Sequence, residues 1–320
     1  MRGLLLLLGI LTIAQTHRPV PRAPRSFELH GNGKTQVLLY SSSQRLGKKD
    51  TGIHTLLIVI HGLYGNGPAI FDHADDMVHH MREQRHTLVI APQYATLEDK
   101  AFFFLGDDYL VWKNAGWRDG NEAESYPLSS YAVMDSLIGS VMDGPNFPNI
   151  KNVVVMGHSA GGQFVQRYSV TTPLPDGHPA VAFRFIVMNP SSYLYPDANR
   201  PLDGVHFVRP DSTSCPSYNR YPKGLEGLNH YARLAGRERI LYNMRHRDIV
   251  ILLGEDDTDP GGENLDVTCA GEMEGAFRLQ RGKLYAAYMG QPCEVVPRSG
   301  HNSDDMINSA AAERWVFGKR

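Results

Sequence analysis

Cysteine is scarce: Cys215, Cys269 and Cys293 are the only three in 320 residues. That number excludes a disulfide-dense scaffold, and their spacing contains no C-x-x-C pair for metal or redox chemistry. An excess of charge of one sign is also lacking, with 32 Lys and Arg against 34 Asp and Glu and a formal net charge of −2. Such a balance gives no electrostatic pull toward nucleic acid. The nearest approach to a basic cluster is Arg45, Lys48 and Lys49, in a Ser/Gly-rich loop that reads as solvated. There is no G-x-x-x-x-G-K phosphate loop, no internal repeat and no low-complexity tract. The N-glycosylation pattern is missing too, because Asn189-Pro190-Ser191 carries the forbidden proline. What is present is an ordinary globular composition, 42% hydrophobic and 21% charged, on a chain long enough for one large domain.

The apolar run from Gly3 to Ala14 follows Met1 and Arg2 and gives way at once to Gln15, Thr16, His17 and Arg18. At roughly 20 residues a helix spans a bilayer, and this run is shorter. A buried first strand or helix is the competing reading, but Leu4 to Leu8 shows neither alternation nor a helical stripe. The pattern predicts a signal peptide over residues 1–16 and a single mature domain over 17–320. Secretion follows as an expectation, with no stable membrane anchor, and places the chain where one disulfide can persist.

Short apolar runs recur along the mature chain. Gln36 to Tyr40, Thr55 to Ile60, Thr87 to Ala91, Val153 to Met156, Phe183 to Met188, Ile249 to Leu253 and Glu294 to Val296 read as strands. Most lack polar alternation, which marks strands covered on both faces. Helices are predicted over Ala69 to Arg82, Ser129 to Met142, Ala160 to Val170, Gly271 to Met289 and Ser303 to Trp315. Strand alternating with helix implies an α/β fold, a mostly parallel sheet with helices on both faces. Two stretches break the rhythm: 96–127, and 189–247 just before the Ile249 strand. The second reads as an insertion, lid-like in length.

The segment Val153 to Gly162 contains Gly157-His158-Ser159-Ala160-Gly161, a G-x-S-x-G set between a buried strand and a helix. A serine on a tight strand-to-helix turn needs small residues two before and two after it. Its hydroxyl is a weak nucleophile until a base takes the proton, so a histidine and a carboxylate must follow. Strand Ile249 to Leu253 runs into Gly254-Glu255-Asp256-Asp257, and strand Glu294 to Val296 runs into Gly300-His301. Ser159 is thus the candidate nucleophile, His301 the base and Asp257 the acid, with Asp256 in reserve. His158, inside the elbow, reads as packing. Acyl transfer also needs oxyanion donors, and backbone N–H groups usually supply them. Ala160, after the nucleophile, is one candidate. Leu63, in Ile60-His61-Gly62-Leu63-Tyr64-Gly65, is the other. Asp257-x-Asp259-x-Gly261 lacks the closing Glu of a calcium loop, so no metal is expected.

These residues resemble the α/β-hydrolase superfamily over nearly the whole mature chain. Phe147-Pro148-Asn149, Gln166-Arg167-Tyr168, Tyr218-Asn219-Arg220-Tyr221 with Gly224-Leu225-Glu226-Gly227, and Gly254-Glu255-x-Asp257-Thr258-Asp259 are similar to a branch of secreted microbial serine hydrolases. Asp256 departs from that branch, where a small residue precedes the acid. The resemblance implies an eight-stranded type of sheet and a serine hydrolase acting most often on carboxylic esters. It also implies a bridge between Cys215 and Cys269, tying the 189–247 stretch to the acid loop and leaving Cys293 free.

The expected function is therefore a secreted serine esterase that forms an acyl-enzyme on a small-molecule or polymer ester, without a cofactor. Amide or peptide cleavage on the same triad and a non-catalytic binding protein are the competing readings. Tyr64 and Trp117 are the residues expected to touch substrate. The other aromatics of the irregular stretches, Phe102 to Phe104, Tyr109, Trp112, Tyr193 and Tyr195, read first as the loops' own small core.

Overall fold

Alternate residues of one strand feed two different cores, which is the physical reason the central runs carry no polar positions. Leu56, Ile58 and Ile60 point into one buried cluster, while Leu57 and Val59 point into another on the opposite face. The structure is a computed structural model that describes residues 21–31, 33–204 and 206–318. The predicted signal peptide, residues 1–16, lies outside the described residues.

The main sheet has eight strands: β1 (Arg25–Gly31), β2 (Lys34–Ser42), β3 (Thr55–Ile60), β4 (Thr87–Gln93), β5 (Asn152–His158), β6 (Ala182–Met188), β7 (Ile249–Gly254) and β8 (Cys293–Val296). Their spatial order is β1-β2-β4-β3-β5-β6-β7-β8. The first two strands form an antiparallel hairpin, β2 is antiparallel to β4, and the remaining pairs are parallel. The parallel strands therefore all end at one edge of the sheet, and Ser159 and the acid loop follow directly from two of those ends.

Seven helices matter to the site or its support: α1 (Gly67–His80), α2 (Leu97–Phe103), α3 (Ser130–Met142), α4 (Ala160–Thr171), α5 (Arg237–His246), α6 (Arg278–Met289) and α7 (Ala310–Phe317). Residues from α3, α4, α5 and α6 enter one core, and residues from α1 and α7 enter the other. Helix α4 is buried along its whole length, so the element after Ser159 is fixed on every side.

The predicted helix over 271–289 is two pieces. A short turn of helix over Cys269–Glu272 stops before Gly275, whose φ is +137°, and α6 restarts at Arg278. The predicted 303–315 helix likewise divides, because the Ser309 side chain caps a new helix by accepting from Ala312 N–H. A disulfide joins Cys215 to Cys269 with Cα atoms 5.9 Å apart at a sequence separation of 54. Cys293 is a free, exposed thiol. Among the described residues no helix is long and apolar enough to cross a membrane.

Candidate active site

The elbow is built by steric necessity. Ser159 has φ +60° and ψ −118°, a conformation that side chains rarely adopt and that costs on the order of 1–3 kcal/mol. It is held from both sides: its N–H donates to the Met188 carbonyl at the end of β6, and its carbonyl accepts from Gln163 N–H inside α4. A Cβ on Gly157 would lie 2.5 Å from the Gly161 carbonyl oxygen, and one on Gly161 would lie 2.2 Å from the Ile60 oxygen. Only glycine fits at either position.

Around that serine the chain brings together the two other residues picked from sequence. His301 Nε2 lies 2.9 Å from Ser159 Oγ, and His301 Nδ1 lies 2.8 Å from Asp257 Oδ2. An ionised carboxylate can only accept, so Nδ1 carries the proton and Nε2 is left to accept from the serine hydroxyl. Asp257 is 5% exposed, and Asp256 is exposed to solvent. His158 does pack, and what it packs against is His301: the two rings are 4.6 Å apart. Burial, then the neighbouring His301, pushes the His158 pKa well below the usual histidine range, so a neutral ring backs the imidazole.

The loop after β3 is fixed by His61. This side chain is fully buried, and burial lowers its pKa to about 4. Tyr94 N–H donates to His61 Nε2 at 3.0 Å. The proton is therefore on Nδ1, which donates to the Gly62 carbonyl at 2.7 Å. Gly62 sits beside Ser159, since a Cβ there would be 3.9 Å from Ser159 Cβ. Leu63 is the next residue along this loop, and Ala160 is the first residue of α4.

No family model and no curated protein matches this sequence. Solved structures do. A poly(aspartic acid) hydrolase from Sphingomonas sp. KT-1 superposes with a TM-score of 0.61 at 22% identity, covering 93% of this chain and 100% of that one. A poly(3-hydroxybutyrate) depolymerase from Bordetella parapertussis superposes with a TM-score of 0.61 at 22% identity, covering 94% of this chain and 92% of that one. The chain has the α/β-hydrolase fold.

Within this α/β-hydrolase fold one expectation is corrected. Trp117 is not on the rim. It is 0% exposed, stacked on Tyr94 at 5.4 Å and set edge-on to His61 at 4.6 Å. The aromatics of that loop close their own core, and Trp117 supports the His61 loop from behind without surface to offer a substrate. Trp112, Tyr193 and Tyr195 are buried in the same manner, whereas Phe102 and Phe104 are exposed. Tyr64 is 47% exposed and its hydroxyl donates to the Glu263 carboxylate, so it bridges the loop after β3 and the acid loop. A cleft of about 500 Å³ opens beyond the acid loop, lined by Leu202, Pro260, Leu265, Val267 and Met273 among others. None of Ser159, Asp257 and His301 lines it.

Two supporting residues have no motif in the sequence. Asn189, completely buried, donates from its side chain to the Gly300 carbonyl at 3.1 Å and accepts from Gly254 N–H at 2.8 Å. It ties the end of the acid strand to the residue before His301. Arg278 lies against Asp257, with a terminal nitrogen 3.5 Å from Oδ1. Only local density of polar residues after strand ends hints at the first, and nothing in the spacing marks the second.

Proposed function

We propose that this protein is a secreted serine hydrolase that cleaves carboxylic esters through an acyl-enzyme. The observation that carries the reading is the unbroken line from Ser159 Oγ to His301 Nε2, at 2.9 Å, and from His301 Nδ1 to Asp257 Oδ2, at 2.8 Å. Ser159 Oγ attacks the ester carbonyl carbon while its proton passes to His301 Nε2. The carbonyl π pair moves onto oxygen, where the N–H groups of Leu63 and Ala160 receive it. On collapse the C–O bond to the alcohol breaks, and the His301 proton goes to the departing oxygen. Water, deprotonated by His301, then attacks the acyl-serine and releases the acid. Asp257 stays ionised and stabilises the imidazolium that forms in each half.

Tyr64, exposed beside the Leu63 donor, is the residue assigned to touch the substrate. Similarity to the Bordetella poly(3-hydroxybutyrate) depolymerase supports a polymeric ester as one substrate class, and similarity to the Sphingomonas poly(aspartic acid) hydrolase supports amide cleavage as the second reading. Secretion is supported by the Cys215–Cys269 bridge, of a kind that persists in oxidising compartments. The test is a panel of soluble p-nitrophenyl esters and matched anilides, run with the protein and with Ser159→Ala. Ester turnover that disappears with the serine is the expected result. Turnover that survives Ser159→Ala contradicts the mechanism, and faster anilide than ester cleavage moves the amide reading to the front.

A further inference from the structure

A guanidinium is rarely buried, and it stays buried where its N–H groups meet acceptors or negative charge. Arg278, the first residue of α6, is 2% exposed. One terminal nitrogen faces Asp257 Oδ1 at 3.5 Å, and the other donates to the Glu263 carbonyl at 2.6 Å. The main chain grips the same loop, since Leu279 N–H donates to the Asp257 carbonyl at 3.1 Å. Gly262 completes the clamp: a Cβ there would stand 3.2 Å from the Arg278 nitrogen that faces Asp257. The chain of contacts does not end at the acid loop. The Glu263 carboxylate accepts from the Tyr64 hydroxyl, to which the Asn264 side chain also donates at 3.1 Å. Tyr64 directly follows Leu63.

We propose that Arg278 is a positioning residue that holds Asp257 behind His301 and, through Glu263 and Tyr64, fixes the acid loop against the loop carrying the Leu63 N–H. The inference rests on the serine-hydrolase reading above. Its physical basis is that burial disfavours a charged carboxylate, and the Asp257 side chain is only 4% exposed. Asp257 Oδ2 is taken by His301, so the free Oδ1 would face a low-dielectric surround without a counter-charge. Arg278 supplies that charge. The same cation lies behind the imidazole, which must be neutral to accept the serine proton. The other titratable and charged groups of this corner are His158, its ring tilted against that of His301, Asp259 and Arg281, which act on Arg278 with opposite sign, and the His73–Asp304 pair, 3.3 Å apart.

Arg278→Met, Arg278→Lys, Tyr64→Phe and the Arg278→Met/Tyr64→Phe pair are assayed on a soluble p-nitrophenyl ester across pH, after thermal unfolding has confirmed each fold. For Arg278→Met, kcat falls by about a hundredfold with KM nearly constant, the scale of a 1 Å misplacement at a reacting centre. The acid limb of its rate profile moves to higher pH, the direction expected for removing a positive charge near the base. Arg278→Lys keeps the charge and so keeps the acid limb in place, with kcat between the other two. Tyr64→Phe alone loses a few-fold in rate and adds nothing to Arg278→Met, because the strut is already cut. Wild-type kcat and pH profile in Arg278→Met overturn the proposal, as does a loss confined to KM with the acid limb unmoved. Losses that multiply in the double variant overturn the coupling to Tyr64. If Arg278→Met does not fold, a shifted acid limb in Arg278→Lys contradicts the proposal by itself. Ser159→Ala run alongside separates the two layers. Activity in that variant removes the underlying reading, whereas a dead Ser159→Ala beside an unaffected Arg278→Met removes only the role of Arg278.

Discussion

Alanine at Gly161 is the smallest change that strikes at both the fold and the chemistry. Its Cβ would lie 2.2 Å from the Ile60 carbonyl oxygen and 2.7 Å from that of His61. A comfortable carbon–oxygen contact is longer by about 1 Å, so one side of the junction must retreat by that amount. Both opposing atoms are backbone, and no rotamer change relieves them. Overpacking of this kind costs about 1–3 kcal/mol, and because both contacts are rigid the upper half of that range applies. In a chain of this size the melting temperature then falls by roughly 5 °C. What retreats is the end of β3, which leads straight into Gly62 and Leu63. The Leu63 N–H, the proposed oxyanion donor, is displaced along with it, and kcat is expected to fall by about a hundredfold. The assay compares thermal unfolding and initial rates on a soluble ester for Gly161→Ala and for Gly177→Ala, where an added Cβ meets nothing within 4 Å. A Gly161→Ala protein with wild-type melting and turnover would refute the argument that the elbow requires glycine for clearance.

The acid assignment is tested by a pair: Asp257→Asn should lose about a thousandfold or more in kcat, while exposed Asp256→Asn stays near wild type, and the opposite ranking moves the role. Glu274 sets a pH dependence of stability. It is completely buried, and burial raises its pKa from 4.5 to about 7, with Arg200 acting in the opposite direction. Over that window the folded state keeps a proton that the unfolded chain has released, so the stabilisation is full below pH 4.5 and is lost as pH rises through about 7. The loss amounts to about 3 kcal/mol; urea unfolding at pH 5 and pH 8 should show it in the wild type and not in Glu274→Gln, and parallel behaviour contradicts it. Removing the disulfide with Cys215→Ser and Cys269→Ser should cost about 4 kcal/mol by loop-closure entropy, and an unchanged urea midpoint contradicts that.

The sheet was legible because its central strands are buried on both faces and so read as uninterrupted apolar runs. β1 was not, since it is an edge strand with half-exposed and exposed positions alternating and Glu28 and His30 among them. Helix α5 buries only Ile240, Asn243 and Met244, too narrow a stripe to stand out among Arg237, Arg239 and Arg245. Helix α2 is a seven-residue turn set by the Thr96–Asp99 capping box, a local signal hidden in an aromatic stretch. Ser159, Asp257 and His301 were readable because each must follow a strand end, where the topology converges. Arg278 and Asn189 act on the triad from elsewhere in the chain, through contacts that only the folded arrangement brings together. Trp117 was misplaced because composition cannot tell an aromatic that lines a pocket from one that fills the loop behind it.

The central claim is an activated serine at position 159. The most direct measurement treats the folded protein with a fluorophosphonate and locates the adduct by peptide mass spectrometry, in the wild type and in His301→Ala. A single modified serine, Ser159, is expected, with labelling lost when His301 is removed. A folded wild-type protein that takes no label, or that is labelled equally well without His301, would contradict it.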